Sequence, residues 1–434
     1  MEQGSTTHDR VIQPAVSADI AIIRQHILQD YTGMFREAGG AFRYPFIVPG
    51  SQQYSDQMWD WDSWLSNIAL RQILCELNDA DAFAQAQPYE RGCVLNYLSY
   101  GSHDGWVPVW FGRDSVVAHM KPVDFHLHNM HKPVLAQHAA FLTQQDGGDA
   151  EWLREGLYHL QAFLNNYKYH HRHECGLYFW QTDAGIGVDN DPSTYFRPPR
   201  SSGSIYLNCL MVKELEAMEY LCRQLDQEEI ALSFRRDREH LLAALQEHCW
   251  DERDGFFYSV DLNLLPIDHT QTLHQGMPRD WPCLIQRLGV WSGFLALWAG
   301  VATPEQAERV VHEQYRDTRT FNAPFGVRTL SKMEKMYNVR ASGNPSSWLG
   351  PIWGISNYMT FRGLVRYNFL DDAQELAEKT IRLFGRDLER FGALHEYYLP
   401  ENGEPVLNRG FQNWNYLVLN MIAWLEGKEV VSEF

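Results

Sequence analysis

The sequence has no long hydrophobic run. No apolar stretch approaches the roughly 18 residues that a membrane-spanning helix needs, and the mean hydropathy is −0.39. The first ten residues are polar, carry both acidic and basic side chains, and are not followed by a hydrophobic segment. We therefore expect no secretory signal, no membrane association and a cytoplasmic location.

Positive charge is also scarce. The chain has 37 Lys and Arg against 55 Asp and Glu, a formal net charge of −18. Nucleic acids and anionic membranes both require clustered basic residues. These partners are excluded on this basis, and the composition leaves homo-oligomerisation open.

Paired cysteine motifs are absent. The seven cysteines are scattered and show no C-x-x-C spacing, which argues against a zinc site and against a disulfide framework. We expect reduced thiols in the core, no metal and no other cofactor. The histidine-rich stretch 170–173 is expected to be a solvent-exposed helix end, and His126, His128 and His131 to line a pocket rim or to pack.

No linker rich in Pro, Gly or Ser divides the chain, and apolar residues recur at helical spacing, as at Ile20, Ile23 and Ile27. Helices are predicted over residues 17–34, 62–77, 82–100, 133–143, 151–169, 204–225, 228–248, 281–299, 303–315, 347–367, 371–391 and 411–424. Strand signals are few and local, so we expect an all-α protein. We predict one domain over residues 1–434, an (α/α)6 barrel with long active-site loops, and a flexible N-terminal segment over residues 1–16. A stacked solenoid is the competing fold, but it would show a short internal repeat and none is found.

Tryptophan is abundant, with 15 residues. Flat aromatic faces match the apolar C–H faces of sugar rings, so this excess indicates a sugar site. Three Trp surround two Asp in the segment Met58-Trp59-Asp60-Trp61-Asp62-Ser63-Trp64, which opens a predicted helix. Asp62 is either a helix N-cap or a carboxylate that accepts sugar hydroxyls between stacking indoles.

Three further loop segments carry candidate groups. Asp189 lies in Gly187-Val188-Asp189-Asn190-Asp191-Pro192, which is also ordinary turn composition. Trp348 and Trp353 bracket a Gly-Pro before an apolar stretch. Glu396 lies among aromatic residues in His395-Glu396-Tyr397-Tyr398, where desolvation would move its pKa, although a surface loop has the same composition.

Taken in order, these segments resemble glycoside hydrolase family 63, and especially its short bacterial branch with the mannosylglycerate and glucosylglycerate hydrolases. The similarity also includes Trp250-Asp251-Glu252 and Gly255-Phe256-Phe257-Tyr258, and it runs from about Tyr54 to the C-terminus. It implies an (α/α)6 barrel and hydrolysis with inversion, with Asp189 as general acid and Glu396 as general base. It further implies a sugar pocket formed by Asp62 with Trp59, Trp61, Trp348 and Trp353, and the substrate-binding set also includes His131, Tyr54 and Trp106.

Two departures from the resemblance bear on the substrate. Ser347-Trp348-Leu349 stands where the similar glycerate-glycoside hydrolases have Tyr-Trp-Arg, and Met130-His131-Lys132-Pro133 stands in place of Thr-Gln-Pro-Pro. We therefore expect a small neutral α-linked glucoside to be preferred to a glycosylglycerate. A glycerate-glycoside hydrolase, a trehalase-like enzyme, a His-dependent isomerase or epimerase and a non-catalytic sugar-binding protein are the alternatives.

Overall fold

The structure is a computed structural model that describes residues 12–115, 121–272, 274–340 and 346–434. It is mostly helical. The described residues contain twelve α-helices: α1 Pro14–Asp30, α2 Asp60–Leu77, α3 Ala80–Tyr100, α4 Leu135–Gln145, α5 Leu157–His170, α6 Ile205–Gln224, α7 Glu228–His248, α8 Leu295–Trp298, α9 Pro304–Arg309, α10 Gly354–Arg366, α11 Leu370–Phe391 and α12 Val418–Leu425.

The even-numbered helices pack side by side in chain order. Helix α2 contacts α4, α4 contacts α6, α6 contacts α8, α8 contacts α10, α10 contacts α12, and α12 contacts α2. These helices are buried almost all round, as in α2, where every residue from Asp60 to Leu74 is buried. A helix without an exposed face belongs in the interior of a protein.

The odd-numbered helices that contact these inner helices lie outside them. Helix α1 contacts α2 and α11, α3 contacts α2 and α4, α7 contacts α6, and α11 contacts α10 and α12. Helix α1 buries only Val16, Ile20, Ile23 and Ile27, one stripe at helical spacing. The result is an α/α arrangement in which amphipathic helices cover an apolar inner layer.

The strands are short and lie in the connections between helices. They are β1 Phe35–Arg36, β2 Phe46–Ile47, β3 Gln57–Trp59, β4 Trp110–Gly112, β5 Ser202–Gly203, β6 Trp250–Asp251, β7 Phe256–Phe257, β8 Val260–Asp261, β9 Leu284–Ile285, β10 Asn322–Ala323, β11 Gly326–Val327, β12 Ile352–Trp353 and β13 Tyr397–Tyr398. The pairs β1–β2, β3–β4, β6–β7, β10–β11 and β12–β13 and the sheet β5–β8–β9 are antiparallel.

The helix predicted over residues 281–299 is wrong for most of its length. Strand β9 pairs with β8 in this segment, and α-helix is confined to α8. Pro282 disfavours helix in the residue before it. Gly293 lies so close to Phe256 that a Cβ would be 2.3 Å from its ring, so backbone packing rather than periodicity sets the path here.

Other boundaries also differ from the prediction. Residues 14–16, placed in a flexible segment from the sequence, form the first turn of α1, and Val16 is fully buried; residues 1–11 lie outside the described part of the chain. His171 is buried at the end of α5 rather than exposed, and burial lowers its pKa to about 3. His126 and His128 are exposed.

Nearly all the buried apolar residues belong to one contiguous cluster that extends from Val16 to Val431. Within the described ranges, no helix is both long and apolar enough to cross a membrane.

Candidate active site

One pocket is formed by four loops that each lead into an inner helix, namely α2, α6, α10 and α12. Because these connections enter the inner helices at their N-termini, they meet at the same end of the helical layer. The pocket opens to solvent, and together with its open mouth it contains about 470 Å³ of space outside the protein atoms. It is lined by Tyr54, Trp59, Trp61, Asp62, Gly187, Asp189, Ser346, Trp353, Glu396, Phe411 and Trp414.

Glu396 is held by hydrogen bonds to both oxygens of its carboxyl group. The Tyr54 hydroxyl donates to Oε1 at 3.3 Å. The Asn408 side-chain amide donates to Oε2 and also lies 3.4 Å from the Tyr54 hydroxyl oxygen. The position of Glu396 follows from a β-hairpin, since its backbone N–H donates to the Leu407 carbonyl at 2.9 Å.

The Glu396 residue is 4% exposed. Burial raises its pKa to about 7; the hydrogen bonds from Asn408 and Tyr54 oppose this increase, and the charge of Asp189 adds to it. A carboxyl with such a pKa exchanges its proton near neutral pH, which is the property required of an acid–base group.

Asp62 is a second carboxyl in the pocket, and it is not the helix N-cap. Trp59 occupies the N-cap position of α2, and Asp62 lies in the first turn. Its Oδ1 accepts a short hydrogen bond from the Asn413 side chain. Burial and the neighbouring Asp60 raise the pKa of Asp62 well above its ordinary value, and Lys132 opposes them.

Lys132 lies beneath the pocket in a buried ion pair. Its Nζ is 2.7 Å from Asp60 Oδ1, and its backbone N–H donates to Asp60 Oδ2 at 2.8 Å. The side chains of Lys132 and Asp60 are 1% and 0% exposed. The ammonium also lies 5.2 Å from the centre of the Trp61 ring. This charge is therefore neutralised inside the protein and is not available to a ligand.

Asp189 is placed by a glycine-containing loop that packs directly on Trp61 and Lys132. Gly187 has φ +86°, and a Cβ there would lie 2.7 Å from Lys132 Cε and 2.8 Å from Trp61 Cζ2. Asn190 then ties the loop to the segment before α10, because its Oδ1 accepts from the Trp348 backbone N–H at 2.6 Å. The half-buried Asp189 side chain thus reaches the pocket from a loop fixed on both sides.

Aromatic rings make up much of the pocket wall. Trp353 stacks on Tyr397 with 4.8 Å between ring centres, and Trp348 stacks on the Trp353 ring at 4.2 Å. Trp61 meets Trp414 edge to face at 5.2 Å. Trp348 is thus a second aromatic layer behind Trp353, and it is absent from the lining residues.

The structure brings together most of the residues that the sequence singled out. The pocket contains Tyr54, Trp59, Trp61, Asp62, Asp189, Trp353 and Glu396, but not Trp106, His131 or Trp348. The buried His131 ring packs edge-on against Tyr97 with 4.4 Å between centres, and burial lowers its pKa to about 4. Ser346, rather than Ser347, reaches the pocket.

Sequence reasoning missed Trp414, Phe411 and Asn408. Asn402-Gly403 is a hairpin signal, but a two-residue turn there would pair Glu396 with Arg409. The turn in the structure has four residues, 400–403, and pairs Glu396 with Leu407, which places Asn408 beside the carboxylate. No comparable local signal identifies Phe411 or Trp414, which reach the pocket through the turn before α12.

Comparison with known proteins identifies the family to which the chain belongs. A family model described as the mannosylglycerate hydrolase MGH1-like glycoside hydrolase domain matches residues 55–415. The chain belongs to this family of glycoside hydrolases. The resemblance to glycoside hydrolase family 63 is thereby confirmed.

Curated relatives and solved structures agree with this assignment. Mannosylglycerate hydrolase MGH1 of Selaginella moellendorffii is 28% identical over 134 residues, which is 31% of this chain and 24% of that protein. The match thus spans about a quarter of that relative. The fold is similar to that of a GH63 mannosylglycerate hydrolase from Thermus thermophilus in complex with glucose, with TM-score 0.63, 19% identity and coverage of 94% of this chain and 99% of that one. Neutral trehalase Nth1 from Saccharomyces cerevisiae has TM-score 0.60 and 14% identity over 93% of this chain and 81% of its own.

Proposed function

We propose that the protein is an inverting α-glycosidase that hydrolyses a small α-linked glucoside, with Asp189 as general acid and Glu396 as general base. The observation that carries this proposal is the meeting of Asp189, Glu396 and Asp62 in one aromatic-walled pocket of a family 63 chain. Two carboxyl groups on opposite sides of a sugar are the requirement for hydrolysis with inversion.

In this mechanism Asp189 donates its proton to the glycosidic oxygen as the bond from that oxygen to the anomeric carbon breaks. Glu396 removes a proton from a water molecule, whose oxygen attacks the anomeric carbon from the opposite face. Asp62 binds sugar hydroxyls, and the rings of Trp59, Trp61 and Trp353 provide apolar surfaces for the sugar.

We also propose that the fold is a complete (α/α)6 barrel. The succession of contacts from α2 through α4, α6, α8, α10 and α12 back to α2 supports six inner helices. The pocket then lies at the end of the barrel formed by the loops that enter these helices.

The charge of the pocket favours a neutral substrate. Its described lining residues include three carboxyl groups and no Lys or Arg. Lys132 is committed to Asp60 at 2.7 Å and is 1% exposed. An anionic aglycone would meet repulsion from these carboxylates, with no compensating cation among the described lining residues.

Mannosylglycerate hydrolysis is the second candidate, because the family description and the named relatives carry that activity. It requires a carboxylate-binding group that the described pocket lining does not provide. A His-dependent isomerase or epimerase is disfavoured, because the buried His131 packs on Tyr97 and is not among the lining residues.

A substrate panel tests the proposal. The protein is incubated with trehalose, other α-linked glucose disaccharides, glucosylglycerate and mannosylglycerate, and the released monosaccharide is measured. We expect a neutral disaccharide to have the higher kcat/KM. A preference for either glycerate glycoside of more than about tenfold, or about 1.4 kcal/mol of transition-state stabilisation, contradicts the substrate assignment.

The catalytic assignment is tested in the same assay with Asp189→Asn and Glu396→Gln. Each should lower kcat by about 10²–10⁴ or more while leaving the circular dichroism spectrum unchanged. Either variant turning over its best substrate at near the wild-type rate contradicts the role assigned to that residue.

A further inference from the structure

Asn408 follows the hairpin that carries Glu396, and its backbone conformation is unusual. Its φ of +47° is in the left-handed region, which few side chains other than Gly and Asn adopt readily. This conformation comes directly after Leu407, whose carbonyl accepts the Glu396 N–H at 2.9 Å. The half-buried Asn408 side chain thereby lies beside the Glu396 carboxylate.

Asn408, Tyr54 and the Glu396 carboxylate are all hydrogen-bonded to one another. The Asn408 amide donates to Glu396 Oε2 and to the Tyr54 hydroxyl oxygen at 3.4 Å, while Tyr54 donates to Oε1 at 3.3 Å. Each carboxylate oxygen thus accepts a hydrogen bond from a described residue. Because a carboxylate oxygen can accept more than one, capacity remains for a water molecule.

We propose that Asn408 is a positioning residue for the general base, which orients the Glu396 carboxylate and favours its ionised form. This inference rests on the proposed function. An amide N–H donates a hydrogen bond and cannot accept one from a protonated carboxyl group, so the bond to Oε2 is strongest when Glu396 is charged.

The other groups that act on Glu396 come from several elements. Tyr54 approaches from the loop before β3, Asp62 from α2, Asp189 from the loop before α6, and Tyr397 from β13. Burial and the charge of Asp189 disfavour the charged form of Glu396. The hydrogen bonds from Asn408 and Tyr54 oppose them, since they lower the pKa that burial raises.

The backbone conformation of Asn408 allows a clean test. Asn408→Gly removes the side chain while keeping a residue that tolerates positive φ. Asn78→Gly is the matched control, since exposed Asn78 has φ +49° at the C-cap of α2, outside the pocket lining. Asn408→Asp replaces the amide donor by a group that carries negative charge.

The pH profile of kcat/KM is measured for each variant on the best substrate. In Asn408→Gly the acidic limb should move upward by about one pH unit, because a hydrogen bond to a charged group is lost. In this variant the rate at low pH should fall more than the rate at high pH, with KM little changed. In Asn408→Asp the acidic limb should move to still higher pH. Asn78→Gly should match the wild type.

A titration of tryptophan fluorescence separates this proposal from the catalytic one, because Trp353 and Trp414 line the same pocket. The Glu396 transition is the one that disappears in Glu396→Gln, and its midpoint should rise in Asn408→Gly even if no glycoside is hydrolysed. An unchanged midpoint in both Asn408→Gly and Asn408→Asp overturns the positioning role. A shifted midpoint together with full activity of Glu396→Gln instead supports the contact and refutes the general base.

Discussion

Replacing Glu396 by Gln should change how the stability of the protein depends on pH. The folded-state pKa of this carboxyl is about 7, against 4.5 for the free group, with burial as the main cause. A raised pKa means that the folded protein favours the neutral carboxyl. The associated stability is fully present below pH 4.5 and is lost as the pH rises through about 7.

The size of the effect follows from the same two values. The carboxyl should lower the free energy of unfolding by about 1 kcal/mol at pH 5 and by about 3 kcal/mol at pH 8, relative to a group that does not titrate. Glu396→Gln has no carboxyl to ionise at this position, so its free energy of unfolding does not decrease for this reason. The difference in unfolding free energy between the variant and the wild type should therefore shift in favour of the variant by about 2.5 kcal/mol from pH 5 to pH 8.

Urea unfolding followed by tryptophan fluorescence at several pH values provides the assay. Other titrating groups are common to both proteins and cancel in the difference. Glu404→Gln is the control, since Glu404 lies in the same hairpin but its pKa is lowered by hydrogen bonds from Arg390. The stability that Glu404 contributes is lost only as the pH falls below the ordinary range of a carboxyl. The difference in unfolding free energy between Glu404→Gln and the wild type should therefore stay constant from pH 5 to 8. A Glu396→Gln difference that is also flat would refute the reasoning.

Three further outcomes are expected. The kcat/KM of the wild type should rise with pH through about 7, because the base must be ionised and Glu396 titrates there; an acidic limb near pH 4 to 5 contradicts this. Gly187→Ala should lower both activity and stability, the latter by about 1–3 kcal/mol, because its φ is +86° and the added Cβ would press on Trp61 and Lys132; wild-type thermal stability argues against it. Lys132→Met should cost about 3–5 kcal/mol in urea unfolding, because Asp60 is left buried and unpaired, and Asp60→Asn in the same background should recover part of that loss.

The helical content of the fold was largely predictable, because buried faces impose a visible period. The stripe of Ile20, Ile23 and Ile27 marked α1, and Thr303-Pro304-Glu305-Gln306, which forms a capping box at the start of α9, has the sequence pattern of a helix N-terminus. The segment 281–299 was not predictable in this way. Only Leu284–Ile285 pair with β8, and a 3₁₀-helix over Trp291–Phe294 comes directly before α8. Apolar composition alone does not distinguish these conformations from one long α-helix.

The candidate site divides along a similar line. Asp62, Asp189 and Glu396 stood out as acidic residues in loops rich in Trp, Gly or Tyr, but their roles were implied by the resemblance to family 63; the structure places all three in one pocket. The burial of Lys132 against Asp60 was not visible, since these residues lie 72 positions apart. The pairing depends on how the loop before α4 packs on α2, which is tertiary information.

Trp348 and Trp353 show that composition does not predict which of two neighbouring aromatic residues lines a pocket. Both are buried and close in sequence, yet only Trp353 lines the pocket, and Trp348 stacks behind it at 4.2 Å between ring centres. A sequence pattern identifies the pair but not which ring faces the ligand, because that depends on the turn through Gly350-Pro351, where Gly350 has φ +131°.

The stereochemistry of the released sugar tests the central claim most directly. Hydrolysis of the best α-linked glucoside is followed by ¹H NMR at early times, before the anomers equilibrate. A general acid and a general base acting on opposite faces of the sugar predict that the β-anomer appears first. Initial release of the α-anomer would mean retention, and would contradict the roles proposed for Asp189 and Glu396.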